Sequence, residues 1–171
     1  MRRPGNLKLI QVRIATPQGQ FLAEYSAQGL AQLHFPPAGL TNPPAATDRA
    51  AAAIGTWHRI TKAALTALLA GRAPRTFPPL DLSAGTPFQQ TVWRALEKIP
   101  FGQTRSYGEI ASAIGNPKSV RAVGGACGAN PIPVLVPCHR VLAANRKLGG
   151  FSSGLDWKRK LLAREAAMVF D

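Results

Sequence analysis

The chain has few cysteines and no long apolar segment, and each shortage excludes a class of protein. Its 171 residues include 2 cysteines, Cys127 and Cys138, so a disulfide-stabilised secreted fold is not expected. A zinc site is not expected either, because Cys138 and His139 are sequence neighbours while His34 and His58 stand in separate patterns. No apolar run approaches the roughly 18 residues that a membrane-spanning helix needs, so no membrane partner is predicted.

The first residues do not have the pattern of a signal peptide. Residues 1–6 carry positive charge, but the residues after them alternate between polar and apolar instead of forming an apolar centre. The protein is therefore expected to be cytoplasmic and unprocessed.

Acidic residues are scarce relative to basic ones. Asp and Glu number 8 against 21 Lys and Arg, which gives a formal net charge of +13 at pH 7. This imbalance indicates a polyanionic partner, and nucleic acid is the leading candidate. A general accumulation of Arg in a protein from a GC-rich genome explains the composition equally well, so charge alone leaves both interpretations open.

Hydrophobic periodicity predicts a small antiparallel sheet at the start of the chain. Residues 8–14 alternate apolar and polar side chains, which is typical of a half-buried strand. After a Pro-Gln-Gly turn at 17–19, residues 21–25 repeat the period of two, and residues 30–35 supply a third strand.

One long helix is expected after the sheet. A Pro-rich loop over residues 36–44 leads to a helix with a cap from Thr47 or Asp48. The helix runs to Leu69, and Gly71 lies just past its end. Its apolar side chains recur every three or four residues, which indicates packing by one face on the sheet.

A linker divides the chain into two predicted domains. Residues 72–85 contain three prolines and form an irregular stretch, which is typical of a linker between two lobes. The predicted domains are residues 1–81, an amino-terminal lobe with the sheet and helix, and residues 82–171, a mainly helical lobe. The predicted fold class is α+β.

The second lobe opens with signals for several helices. Residues 86–89, Thr-Pro-Phe-Gln, combine an N-cap, a proline in the first turn and a capping-box glutamine. Ser106 and Glu109 form a second capping box for a short helix. Residues 115–117 then break the chain before another helix at about 118–128. Two short helices joined by a tight glycine-containing turn predict a helix-turn-helix.

The second helix of this motif is nearly bare of side chains. Each glycine inside a helix costs about 1 kcal/mol relative to alanine, so something requires a backbone or a ligand to approach closely. Arg121 is the one long cation on this smooth surface. Tight helix packing in a core, with Arg121 merely solvated, explains the same residues, and the local pattern slightly favours it. The small residues are Ala122, Gly124, Gly125, Ala126 and Gly128.

A stiff segment leads to a Cys-His pair. Residues 130–141 contain three prolines, which fix φ and withhold backbone donors, so Cys138 is delivered to a fixed place. A thiol of ordinary pKa, about 8.5, needs a base or a positive environment to react, and His139 and Arg140 supply either. Adjacent residues point in different directions, so a water is expected to bridge Cys138 and His139. A buried structural cysteine that precedes a histidine by chance fits the pattern equally well.

Glu165 is the candidate third member of the site. A carboxylate on an apolar helix face needs a partner, and His139 is a suitable one because the contact would fix its tautomer. A glutamate at a frayed helix end, paired with Arg164 or water, is the local alternative. Lys158 to Lys160, in the same helix, are expected to form a solvated or phosphate-facing surface. The apolar stripe of this helix is Trp157, Leu161, Leu162 and Met168.

These segments together resemble the O6-alkylguanine-DNA alkyltransferase family. Residues 130–141, ending in Pro-Cys-His-Arg-Val, resemble its active-site signature, and the other segments follow in the family's order and spacing. The resemblance covers residues 86–166 closely and the first 80 residues only in layout. The other segments are Ser106-Tyr107-Gly108-Glu109, Gly115-Asn116-Pro117-Lys118, Arg121-Ala122-Val123-Gly124-Gly125, Gly149-Gly150 and Leu161-Leu162-Ala163-Arg164-Glu165.

The resemblance implies a single-turnover methylated-DNA–protein-cysteine S-methyltransferase that needs no cofactor. Cys138 would take a methyl or other alkyl group from O6 of guanine, or from O4 of thymine, in one irreversible step. His139 would act on Cys138 as a base through a water, with Glu165 orienting it. Asn130 would brace the active-site turn against the helix-turn-helix, and Tyr107 would donate to the base or help rotate its phosphate.

The resemblance further implies double-stranded DNA carrying O6-alkylguanine as the partner. The bare helix would lie in the minor groove, and Arg121 would fill the gap left by the flipped nucleotide. A monomer is expected, and cooperative binding along DNA is left open. The implied DNA-binding residues are Ser106, Tyr107, Lys118, Arg121, Ala122, Gly124 and Gly125, and the implied base pocket is Pro133, Val141, Phe151 and Ser152.

Two residues depart from the family's pattern. Family members usually carry Tyr where this chain has Phe151, and a small flexible residue where it has Arg146. Without the hydroxyl, polarisation of the leaving guanine oxygen is expected to be weaker, which puts the rate and the tolerance for bulky alkyl groups in doubt. Arg146, beside Lys147, would add phosphate contacts.

Three other functions remain to be tested. Alkyltransferase-like proteins flag lesions without repairing them, and they usually replace the reactive Cys with Trp, whereas Cys138 is present. A cysteine hydrolase needs turnover and an oxyanion hole, and it would leave the DNA-binding features unused. A plain helix-turn-helix regulator predicts that Cys138→Ser leaves all function intact.

Overall fold

The computed structural model describes residues 9–36 and 48–167. They form a three-stranded antiparallel sheet, five helices and one short parallel strand pair, which confirms the predicted α+β class. The sheet consists of β1 (Ile10–Thr16), β2 (Gly19–Tyr25) and β3 (Leu30–His34), in that order. The helices are α1 (Asp48–Leu69), α2 (Pro87–Leu96), α3 (Tyr107–Ala113), α4 (Val120–Gly128) and α5 (Leu155–Arg164), and the strand pair is β4 (Arg105–Ser106) with β5 (Val141–Leu142).

One face of the sheet is buried, as the alternation predicts. The register sets Val12 opposite Ala23 and Ile14 opposite Phe21, and all four side chains are buried. Because successive side chains of a strand point to opposite faces, this pairing puts the apolar residues of both strands on one side.

α1 packs against β1 through side chains such as Leu65, which is fully buried. The helix ends as predicted, before Gly71, whose φ of +70° is easy only for glycine. The loop expected over residues 36–44 and the cap expected from Thr47 or Asp48 depend on positions that the structure does not describe. Among the described residues, no helix is long and apolar enough to cross a membrane.

The linker over residues 72–85 also extends the sheet. Leu30 and Leu80 form an isolated parallel bridge, and the Asp81 amide donates to the Leu30 carbonyl at 2.8 Å. One continuous apolar core contains buried residues from both sides of this linker. Because the two halves share this core, the division into two domains at residue 82 remains a prediction.

The predicted capping boxes are both present. The Thr86 hydroxyl accepts from the Gln89 amide while the Gln89 side chain accepts from the Thr86 amide. Ser106 and Glu109 make the same reciprocal pair at the start of α3. α3 and α4 pack against each other as the expected helix-turn-helix, although α4 begins at Val120, somewhat later than predicted.

A short parallel pair that the sequence did not reveal ties the Cys-His segment to the helix-turn-helix. Arg105 pairs with Val141 and Ser106 with Leu142. Ser106 is also the N-cap of α3, and Val141 lies two residues after His139. The pairing therefore fixes the position of Cys138 relative to α3 and α4.

Candidate active site

Cys138 begins a single turn of 3-10 helix, Cys138–Arg140, that follows Pro137. Its amide donates to the Val136 carbonyl at 2.8 Å, and the Arg140 amide donates to the Pro137 carbonyl at 3.0 Å. Only 4% of Cys138 is exposed. The turn thus fixes a nearly buried thiol by its own backbone, as the proline-rich sequence predicted.

Cys138 lines a cavity of about 130 Å³. Of the side chains expected in a base pocket, Phe151 and Ser152 line it, and Tyr107 lies there too. Val141 and Pro133 are buried and are not part of this lining. The sequence missed Cys127, Gly128 and Gly150. The lining consists of Tyr107, Gly124, Cys127, Gly128, Cys138, Gly150, Phe151 and Ser152.

Behind the cavity, His139, Arg140 and Glu165 form a buried charged cluster. His139 Nε2 lies 2.8 Å from Glu165 Oε1, and Arg140 donates from Nε to Oε2 at 2.8 Å and from Nη2 to Oε1 at 3.0 Å. The Gly102 amide donates to Oε2 at 3.1 Å. Glu165 is the C-cap of α5 and only 5% exposed. The alternative of a frayed glutamate paired with Arg164 is therefore wrong.

The hydrogen bonds decide the charge of Glu165 and His139. Burial raises the pKa of Glu165, but the hydrogen bonds from His139 and Arg140 and the guanidinium charge of Arg140 outweigh it and hold that pKa at about 2. Burial lowers the pKa of His139 below its usual value, and the contact with Glu165 does not restore it. At neutral pH the pair therefore consists of a carboxylate and a neutral imidazole.

This arrangement leaves one imidazole nitrogen free to act as a base. A neutral imidazole carries one N–H. In His139 this N–H is at Nε2, where it donates a hydrogen bond to the carboxylate of Glu165. Nδ1 of His139 is thereby an acceptor, and it is buried with no hydrogen-bond partner in the described residues. Such an orphaned acceptor beside Cys138 is the position from which a bridging water would be held.

The Cys138 thiol is protonated in the free protein. Burial raises its pKa, against opposing effects of a hydrogen bond from Asn130 and the charge of Lys158. Reaction as a thiolate therefore requires a base, since the surroundings alone do not ionise the sulfur.

Asn130 holds the active-site segment in shape. Its Nδ2 donates to the Val136 carbonyl at 2.8 Å, and its Oδ1 accepts from the Ile132 amide at 3.0 Å. Both contacts are buried, and they close the turn in which Val134 adopts a φ of +75°. The side-chain contacts stay within residues 130–136, and the link from Asn130 to the helix-turn-helix is its amide, which donates to the Cys127 carbonyl of α4 at 3.3 Å.

Lys158 corrects the sequence prediction, because it is fully buried instead of forming a solvated or phosphate-facing surface. Its Nζ donates to the carbonyls of Val141 (2.7 Å), Leu148 and Gly150 (3.1 Å). Burial lowers its pKa to about 8. Lys158 lies three residues before Leu161, a spacing that puts both on the buried face of α5. The sequence prediction missed this because the charge of Lys158 suggested exposure to solvent. Arg159 and Lys160 are exposed as expected.

Tyr107 starts α3 and faces the cavity. Burial raises its pKa to about 12, so the hydroxyl stays protonated at neutral pH and is available as a donor. Gly149 packs against its ring so closely that an added Cβ would lie 3.2 Å from a ring carbon. Gly149 also has a φ of +65°, so both space and backbone require glycine there.

The outer face of α4 is open, which overturns the interpretation of its glycines as core packing. Arg121, Ala122 and Gly125 are exposed, and a Cβ added at Gly124 or Gly125 would meet nothing within 4 Å. The opposite face is fixed by a hydrogen bond of 2.8 Å from Trp93 to the Ala126 carbonyl. The bare surface is therefore available to another molecule.

The remaining candidate residues lie around this surface and the cavity. Lys118 is exposed in the turn between α3 and α4, and Ser106 is half-buried as a cap. Arg146 is exposed with a φ of +59°, an uncommon conformation for a side chain other than glycine, and its charge lowers the pKa of Glu109 after the stronger contacts with Ser106. In the described residues, no three His, Cys, Asp or Glu side chains are grouped to hold a metal ion.

Comparisons with known proteins agree on one family. The family model described as 6-O-methylguanine DNA methyltransferase, DNA binding domain, matches residues 87–167. A methylated-DNA–protein-cysteine methyltransferase of Methanosarcina acetivorans is 60% identical over 83 residues, 48% of this chain and 53% of that protein. One of Mycolicibacterium paratuberculosis is 55% identical over 101 residues, 59% of this chain and 61% of that protein. These matches thus span little more than half of each relative.

A solved structure extends the likeness to about nine-tenths of the chain. Mycobacterium tuberculosis OGT in complex with DNA is 39% identical, with a TM-score of 0.70, and the match covers 91% of each chain. The fold therefore includes the amino-terminal lobe as well as the helix-turn-helix and the Cys138 site. The chain belongs to the O6-methylguanine-DNA methyltransferase family.

Proposed function

We propose that this chain repairs DNA by taking a methyl or other alkyl group from O6 of guanine onto Cys138, once and irreversibly. The observation that carries the proposal is the cavity that opens Cys138 towards Tyr107 and α4, while His139 and Glu165 are buried and in contact with each other. Family membership supports the same reaction, because matched relatives bear the name methylated-DNA–protein-cysteine methyltransferase.

In the proposed reaction, Nδ1 of His139 takes the thiol proton of Cys138 through a bridging water. Glu165 stabilises the imidazolium that forms, as the carboxylate of a Ser-His-Asp triad does, although here the carboxylate lies at Nε2 and leaves Nδ1 as the base. The sulfur then attacks the alkyl carbon, a new S–C bond forms, and the bond from that carbon to O6 breaks. The electron pair stays on the guanine, and Tyr107 donates a hydrogen bond to the base as charge develops.

The thioether that results explains why the reaction occurs once. A sulfur that carries an alkyl group has no ionisable proton, so Cys138 can no longer form the thiolate that reacts. Lys158 would hold the backbone of the pocket by its contacts with the carbonyls of Val141 and Gly150. The expected product is an alkylated protein and an intact guanine.

The partner that fits the outer face of α4 is double-stranded DNA. The small side chains let the helix backbone approach the minor groove, and the net charge of +13 supplies phosphate attraction. Arg121 would fill the gap left by an extruded base, and Ser106 and Lys118 would contact the flanking backbone. We further propose a monomer and repair of O4-alkylthymine as a second lesion.

The stoichiometry of lesion loss tests the proposal. We expect an excess of duplex containing O6-methylguanine to lose one lesion per protein molecule and then no more. Cys138→Ser is expected to remove none while still binding the duplex, because an alcohol is a far weaker nucleophile. The measurement is chromatography of the bases after hydrolysis of the DNA.

Other outcomes would identify a different function. Continued turnover would indicate a hydrolase, and binding without any loss of lesion by the wild-type protein would indicate a flagging protein. Lesion loss that Cys138→Ser leaves unchanged would exclude Cys138 as the acceptor.

A further inference from the structure

Phe151 forms part of the active-site wall, and its ring is in contact with the amino-terminal lobe. It lines the cavity together with Cys138 and Ser152. Its ring meets that of Phe35 edge to face, with centroids 6.1 Å apart and an interplanar angle of 84°. Phe35 directly follows β3, so one wall of the site takes its support from the other predicted domain.

Phe35 is itself held from two further sides. Its ring lies 4.8 Å from that of Trp157 in α5 and 5.3 Å from that of Phe21 in β2, centroid to centroid. Phe21 is fully buried, and it also contacts Trp157 at 5.9 Å. Tilted and edge-on contacts at these distances are the favourable geometries of aromatic pairs. Phe35 is therefore a fixed support.

The strand that carries Phe35 is tied to the active-site segment. The Leu33 amide of β3 donates to the Pro131 carbonyl at 2.9 Å. Pro131 follows Asn130, whose side chain closes the turn before Cys138. This backbone hydrogen bond helps to fix the position of Phe35 relative to the Cys138 thiol.

The loop around Phe151 is held through its backbone, whereas its ring lies against Phe35. Gly149 and Gly154 bracket the loop, with φ values of +65° and +92° that glycine adopts without strain. Lys158 holds the carbonyl of Gly150 at 3.1 Å, and the Gly154 amide donates to the Phe151 carbonyl at 3.0 Å. These bonds fix the main chain, and the edge-to-face contact with Phe35 fixes the ring of Phe151.

We propose that Phe35 is a positioning residue that holds Phe151 against the cavity and so limits the size of the alkyl group that reaches Cys138. The inference rests on the alkyl transfer proposed above. A methyl group needs no movement of this wall, whereas a benzyl group requires the Phe151 ring to shift. Discrimination against bulky groups is then set by a residue of the amino-terminal lobe.

Transfer rates with two substrates test the effect on specificity. Phe35→Ala is expected to raise the ratio of the O6-benzylguanine rate to the O6-methylguanine rate by about threefold to tenfold, the factor that an aromatic contact contributes. Phe35→Tyr keeps the ring and should keep the wild-type ratio. Tyr25→Leu is the matched control, because it removes another buried aromatic ring of the same sheet, whose ring contact is with His58. An equal change in Tyr25→Leu, or none in Phe35→Ala, would overturn the proposal.

Fluorine NMR separates this proposal from the alkyl-transfer proposal. With 4-fluorophenylalanine placed at position 151, we expect one resonance in the otherwise native protein and a shifted or exchange-broadened resonance in Phe35→Ala. An unchanged resonance would show that Phe35 does not hold the ring, whatever the reaction. A changed resonance in a protein that accepts no alkyl group would leave the contact established and refute its role in specificity together with the proposed function.

Discussion

Replacing Glu165 with Gln is expected to lower the free energy of unfolding by about 3 kcal/mol or more, because it leaves the buried guanidinium of Arg140 without a counter-charge. The same change is expected to slow alkyl transfer by about 100-fold or more, since His139 loses the carboxylate that stabilises its protonated form. Urea unfolding and single-turnover transfer from O6-methylguanine duplex measure the two effects.

Asp156→Asn is the matched control for Glu165→Gln. It removes a carboxylate from the same helix, at an exposed pair with Arg159, where the expected cost in unfolding free energy is below about 1 kcal/mol. A loss of stability in Glu165→Gln no larger than in this control would contradict the structural role of the buried cluster.

The difference in stability between wild type and Glu165→Gln should depend on pH in the acid range. The pKa of Glu165 is about 2 in the folded protein, below its usual 4.5. A depressed carboxyl pKa contributes stability above the unfolded value and loses it as pH falls through the folded value. The difference in unfolding free energy between wild type and Glu165→Gln should therefore shrink as pH falls from 4.5 to about 2.

Arg121→Ala is expected to slow alkyl transfer from duplex DNA by about 10-fold to 100-fold, because extrusion of a base costs a few kcal/mol and Arg121 would no longer fill the gap. Transfer from the free base O6-benzylguanine should be unchanged, since a free base needs no extrusion. Second-order rate constants with the two substrates provide the measurement.

Arg75→Ala controls for the loss of one positive charge. Arg75 is exposed in the linker, away from α4, so its removal should weaken DNA binding only through net charge. If Arg121→Ala and Arg75→Ala slow duplex transfer equally, or if Arg121→Ala slows the free base as well, Arg121 has no specific part in extrusion.

Local chemistry explains which parts of the fold could be predicted. The boxes at Thr86 and Ser106 depend on residues three positions apart, and the stop at Gly71 depends on one φ angle, so short segments were enough. The alternation in β1 and β2 likewise reports directly which face is buried. The Cys-His pair was recognisable because three prolines and a following arginine surround it.

Long-range contacts explain what the sequence could not provide. The parallel pairing of β4 with β5 joins segments whose strands are two residues long, too short for any period. The partnership of Arg140 with Glu165 depends on where α5 ends in space. The open face of α4 could not be told from a packed one, since small residues serve both. Lys158 was predicted to be exposed because of its charge, whereas in the structure three backbone carbonyls accept hydrogen bonds from its buried ammonium group.

The most direct measurement is the mass of the protein after it is mixed with duplex DNA containing O6-methylguanine, followed by peptide mapping. Transfer as proposed gives each protein molecule a single added methyl group, on Cys138. An unchanged mass, or a methyl group on Cys127 of the same cavity, would contradict it.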